Sequence, residues 1–152
     1  MSLATPIASA LHVLTAVTWV GGMFFAFVVL APNASKTLDI QQRVLLWHGV
    51  LQKFFLGVWV AFITLFLTGI WLIGVYGSAI RTHMTIMALL GLAMVGIFMK
   101  TYFKPFKALS AAVALNNYDE ADKALSKIKA LVGINLVLGL ATIVVAAGGR
   151  FL

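Results

Sequence analysis

The chain has 152 residues, of which 62% are hydrophobic and only 10% are charged, and its formal net charge is +7. Soluble domains contain about 25% charged residues, so this composition excludes an ordinary water-soluble domain and predicts an integral membrane protein. Because the chain contains no cysteine, disulfides, thiolate metal sites and cysteine nucleophiles are also excluded.

The apolar residues form four runs, each long enough to cross about 30 Å of hydrocarbon as a helix. We therefore predict one all-α domain over residues 1–152, a bundle of four transmembrane helices. The segments at about 38–54 and 104–129 have apolar residues at helical spacing, which predicts helical cytoplasmic extensions. Asp119 suits the N-cap of the last helix. The predicted spans are about 3–31, 55–76, 80–103 and 130–148.

Basic residues are distributed very unevenly between the two sides of the predicted bundle. Nine of the 11 lie in or beside the segments that join spans one and two and spans three and four. Only Arg81 and Arg150 lie on the other side. This bias predicts cytoplasmic loops, periplasmic termini and a multi-pass protein of the bacterial inner membrane. The positive charge then favours the lipid bilayer as a partner, and nucleic acid is not predicted.

His12 lies in the outer half of the first apolar run, where hydrocarbon would leave an imidazole unsolvated. Ionisable residues inside membranes are costly and generally functional. One interpretation is a hydrogen bond from His12 to a carbonyl or hydroxyl group across the bundle. The other, which we favour from the sequence, is a metal or cofactor ligand, with Trp19 and Met23 as neighbours on the same helical face.

His83 begins the third span, on the same side of the membrane as His12. Two neutral imidazoles from different helices can bind the iron of a b-type haem along one axis. Apolar side chains would then surround the macrocycle, and arginines would pair with its propionates. We therefore predict His12 and His83 as metal ligands. The full predicted haem-binding set is His12, His83, Trp19, Met23, Met87, Arg81 and Arg150.

Copper is the alternative to haem, since histidine and methionine together suit Cu(I). The residues of this soft copper site would be His12, Met23, His83, Met84 and Met87. A third possibility is a structural subunit whose histidines only form hydrogen bonds.

His48 lies on the extension of the second span, too far away to share a metal with His12. We interpret it as an interfacial histidine or as part of a quinone-headgroup pocket.

Three stretches resemble known membrane families. LHVLTAVTWVGGMFF in the first span resembles both the CopD-type copper-resistance membrane domain and the HemJ-type protoporphyrinogen oxidases. TLFLTGIWLI in span two and KIKALVGINLVLGLATIVVAAGGR in span four are similar to the CopD pattern. The CopD resemblance implies a four-helix bundle that takes up or handles copper. The HemJ resemblance implies haem b bound through His12 and His83. A looser resemblance is to four-helix b-type cytochromes.

The sequence thus predicts a haem b-binding inner-membrane protein that transfers electrons or performs a small redox reaction on the periplasmic side. Quinone or a periplasmic redox protein is the expected partner, and both a homo-oligomer and activity as a membrane oxidoreductase remain open. The alternative function is copper binding or copper transport of the CopD type.

Overall fold

The computed structural model describes residues 3–77 and 82–149. These residues form four long helices, each apolar enough to cross a membrane, which confirms the predicted all-α four-span fold. Arg81 and Arg150, the predicted propionate partners, lie outside the described residues. The helices are α1 (Ala4–Thr37), α2 (Ile40–Tyr76), α3 (Thr82–Ala114) and α4 (Tyr118–Gly148).

The helices pack as two hairpins, α1 along α2 and α3 along α4, and α4 also contacts both α1 and α2. Aromatic rings fill the centre of the bundle. The rings of Trp19 and Phe98 meet edge to face with centroids 6.4 Å apart, and those of Phe55 and Phe106 with centroids 4.8 Å apart. Such pairs add to the burial of apolar area, so this column stabilises the contact between the hairpins.

Large apolar side chains cover the outside of every helix. Many of them are more than half exposed, including one on each helix: Leu14, Leu56, Leu92 and Val144. A helix that is apolar all round must be surrounded by protein or by lipid. Because these side chains contact no other part of the protein extensively, the surface matches a hydrocarbon environment.

One end of the bundle carries the α1–α2 and α3–α4 connections together with Lys36, Lys107, Lys123 and Lys127, and we call it the lysine-rich end. Here Arg43 on α2 donates to the Asp122 carboxylate on α4 at 2.9 Å. This partly buried ion pair joins the two hairpins beyond the predicted spans.

Helix α4 begins after a tight connection from α3. Asn116 adopts a left-handed conformation (φ 53°), which asparagine tolerates better than most residues. The Asn117 side chain then accepts a hydrogen bond from the Glu120 backbone N–H at 3.2 Å. Asn117 is therefore the N-cap, and the prediction of Asp119 was wrong. Asp119 lies in the first turn, where a negatively charged carboxylate interacts favourably with the helix dipole. A hydrogen bond from Lys123 lowers the pKa of Glu120.

Two helices contain a wide π-helical turn, Phe25–Leu30 in α1 and Tyr102–Phe106 in α3. Pro32 lies just beyond the first and Pro105 within the second. Proline lacks an N–H and its ring clashes with the carbonyl four residues earlier, so a continuous α-helix cannot easily accept it. The π turns relieve this clash. Consequently α1 continues as a helix past Pro32 to Thr37, and the predicted span of about 3–31 stays a prediction.

Candidate functional site

His12 forms a hydrogen bond with α2. Its Nδ1 lies 2.8 Å from the Thr68 hydroxyl oxygen, and that hydroxyl lies 2.6 Å from the Thr64 carbonyl oxygen. A carbonyl only accepts, so the Thr68 hydroxyl donates to Thr64 and its oxygen accepts from His12. The chain of bonds assigns the proton of the neutral imidazole to Nδ1 and leaves a lone pair on Nε2.

The position of the His12 ring depends on the small residue that follows Thr68. A Cβ atom placed on Gly69 would lie 3.6 Å from His12 Cε1, so the ring lies directly against the α2 backbone. The predicted hydrogen bond across the bundle is thus present. Within residues 3–77 and 82–149, the ring bonds through Nδ1, and Nε2 makes no hydrogen bond. The Nδ1 bond therefore orients the ring.

His83 lies against a different helix. The ring and Cβ of His83 occupy the space that a side chain at Gly149 would need, so α3 begins in close contact with the end of α4. His12 and His83 both belong to the half of the bundle opposite the lysine-rich end. Met84 and Met87 follow on α3 and are half-buried.

The two histidines differ in their depth along the bundle and in the helix that each one contacts. Trp19 meets Phe98, and Val20 and Met94 both lie against Gly139. Counting about 1.5 Å per residue from these contacts, His83 lies about 4 to 12 Å further from the bundle centre than His12.

Axial ligands of one haem iron must share an axis. His12 lies against α2 and His83 against α4, so these contacts do not support a haem held by both, and the predicted pair of ligands stays a prediction. Neither of the two cavities described below is lined by either histidine.

Trp19 and Met23, the predicted pocket walls, belong to the bundle core. Trp19 is buried against Phe98, and Met23 is 1% exposed. Both line a central cavity of about 10 Å³, which Asn135 also lines. That is room for about one water molecule. The Asn135 Oδ1 atom is buried and has no hydrogen-bond partner in the described part of the chain. The sequence did not indicate this small cavity beside Asn135.

His48 lies at the lysine-rich end, far from the other two histidines. Its Nε2 is 3.1 Å from the Ser110 hydroxyl, and its ring stacks on Phe106. The predicted role in a quinone pocket stays a prediction. No group of three or more His, Cys, Asp or Glu side chains that could hold a metal occurs among the described residues.

The comparison with protein families gives one match, to copper resistance protein D (CopD), over residues 48–148. The chain belongs to the CopD family. The CopD match begins at His48, so it includes Thr68 and His83 but not α1 with His12. No curated protein and no solved structure matches the chain, and none of these comparisons shows the resemblance to HemJ-type oxidases.

Proposed function

We propose that this CopD-family membrane protein binds copper as Cu(I) and handles it in the half of the bundle opposite the lysine-rich end. His12 is the ligand, through Nε2. The observation that carries this proposal is the hydrogen-bond chain from His12 to Thr68 and Thr64. Metal-binding histidines almost always donate their other ring N–H to an oxygen atom, which fixes the tautomer and aims the lone pair.

Soft ligands for the same ion are available on α3. Cu(I) prefers thioether and imidazole ligands, and the chain has six methionines and no cysteine. Met84 and Met87 lie in the same half of the bundle as His12 and are half-buried. We propose that they supply the thioether ligands of this ion.

Deeper donors suggest how the protein handles the ion after binding it. Met23 lies on α1, eleven residues beyond His12, and lines the central cavity beside the unpaired Asn135 oxygen. At 1.5 Å per residue this is about 16 Å further along the helix. A thioether therefore follows the imidazole towards the bundle centre, which supports a role in moving copper into the membrane.

The orientation proposed from the lysine distribution places the His12 half on the periplasmic side of a bacterial inner membrane. Haem b is less well supported, because His12 and His83 differ in depth and face different helices. Copper handling agrees with the CopD match and needs only one of these histidines.

Copper content and the absorption spectrum of the purified protein test the proposal. The affinity tag must be removed, since a histidine tag binds copper itself. We expect one Cu(I) per chain in anaerobic competition with a chromogenic chelator, and no Soret band. Ag(I) should compete as a soft cation, whereas Zn²⁺ should not. A Soret band in copper-free protein would contradict copper as the native cargo.

A further inference from the structure

A second cavity, an apolar groove of about 330 Å³, opens between α1, α2 and α4 near the lysine-rich end. It is distinct from the proposed copper site, because none of its lining residues is a histidine or methionine. The residues that define it include Gly22, Phe27, Leu30, Trp47, Phe54 and Lys129. The π turn of α1 supplies part of one wall.

Two glycines shape the groove by accepting aromatic rings. A Cβ atom on Gly22 would lie 2.8 Å from the Phe54 ring, and one on Gly133 would lie 2.8 Å from the Phe27 ring. Real Cβ atoms do not approach other atoms so closely. Both rings can therefore occupy these positions only because glycine has no side chain. A larger residue at either glycine would displace a phenylalanine that lines the groove.

The polar groups at the groove are all donors. Lys129 Nζ lies over the Trp47 ring, 5.4 Å from its centroid. The ion pairs found in residues 3–77 and 82–149 are Arg43–Asp122 and Lys123–Glu120, so Lys129 has no carboxylate partner there. Trp47 is 3% exposed, and its indole N–H has no hydrogen-bond partner within those ranges. An acceptor with negative charge would complement this edge.

The position of Lys129 indicates where that acceptor lies. It is the last charged residue before an apolar run that continues to Gly149. A lysine at such a boundary extends its alkyl chain over apolar surface and places the ammonium group at the level of the lipid headgroups. Gly22 and Phe54, which also line the groove, lie further towards the bundle centre than Lys129.

We propose that the groove binds one acyl chain of an anionic phospholipid, with the lipid phosphate against the Lys129 ammonium. The apolar walls accept the chain, and the unpaired cation selects the charge of the headgroup. Anionic lipids are attracted by about 1 kcal/mol for each basic residue near the surface, which corresponds to about fivefold in affinity. This lipid site is independent of copper binding.

Lipid binding can be measured by native mass spectrometry of the full chain in detergent. The probes are phosphatidylglycerol and phosphatidylcholine with identical acyl chains. We expect wild-type protein to prefer phosphatidylglycerol about fivefold and Lys129→Gln to lose this preference. The matched control is Lys127→Gln, because Lys127 is exposed and lies two residues earlier on the same helix. It should keep the preference.

Gly133→Ala tests the groove rather than the charge. It should weaken binding of both lipids by displacing Phe27 from the wall of the groove, whereas Gly57→Ala, where a Cβ would meet nothing within 4 Å, should not. The proposal is overturned if wild-type protein binds both lipids equally. It is also overturned if Lys129→Gln keeps the preference, or if both lysine variants lose it to the same extent, since that would indicate general attraction to the lysine-rich end.

Discussion

His12→Ala is expected to abolish Cu(I) binding, and Thr68→Val to weaken it about 10- to 100-fold, the usual effect of removing a group that orients a metal ligand. Alanine removes the Nε2 lone pair. Valine keeps the size of threonine but removes the hydroxyl oxygen that accepts the hydrogen bond from His12 Nδ1. The distance between these nitrogen and oxygen atoms is 2.8 Å. The measurement is chelator competition with the tag-free protein under reducing, anaerobic conditions.

Two variants provide matched controls for this series. Thr64→Val keeps the backbone carbonyl to which Thr68 donates, and its own hydroxyl only bonds the Val60 carbonyl. His48→Ala removes a histidine whose partner is Ser110 at the lysine-rich end. Both should bind copper as the wild type does. If Thr64→Val and Thr68→Val weakened binding equally, the oriented-imidazole account would fail, as it would if His12→Ala bound copper normally.

Gly139→Ala is expected to lower the free energy of unfolding by about 1 to 3 kcal/mol, the usual cost of an overpacked core. The new Cβ would lie 2.7 Å from Val20 Cγ2 and 3.2 Å from Met94 Cε. The methionine can move, but the β-branched valine is held in one rotamer by its helix. Helices α1 and α4 must therefore separate. Denaturation in mixed micelles measures the loss.

Gly96→Ala is the control, because a Cβ there would meet nothing within 4 Å. Alanine favours helix more than glycine does, so this variant should be at least as stable as the wild type. Val20→Ala should restore part of the stability lost in Gly139→Ala, since it removes the clashing methyl groups, and a double-mutant cycle would show this coupling. Equal destabilisation by Gly96→Ala and Gly139→Ala would rule out the contact as the cause.

The four helices could be predicted from the sequence because the signal is local. Each apolar run is long enough to span a membrane, and helical periodicity continues into the basic segments. The start of α4 was less certain, since Asn117 and Asp119 are both good N-cap residues. The choice is made by the left-handed Asn116, a backbone conformation that the sequence allows but does not require.

The sequence indicated His12 as unusual but not its partner. Depth along a helix can be counted from the sequence, whereas rotation about the helix axis depends on packing. His12 and His83 share one half of the bundle, yet one faces Thr68 and the other Gly149. The available signal was the adjacent pair Thr68 and Gly69 in span two. Threonine provides a hydrogen-bond acceptor, and glycine leaves room for the histidine ring.

The π turn at Phe25–Leu30 also bears on how the chain tolerates insertion and deletion. A π turn holds about one residue more than an α-helical turn, and one residue rotates an α-helix by about 100°. Losing one residue there would therefore restore a regular helix and leave the segments on both sides of the turn facing their present neighbours. A deletion of the same length elsewhere in α1 would instead rotate one end of the helix relative to the other by about 100°.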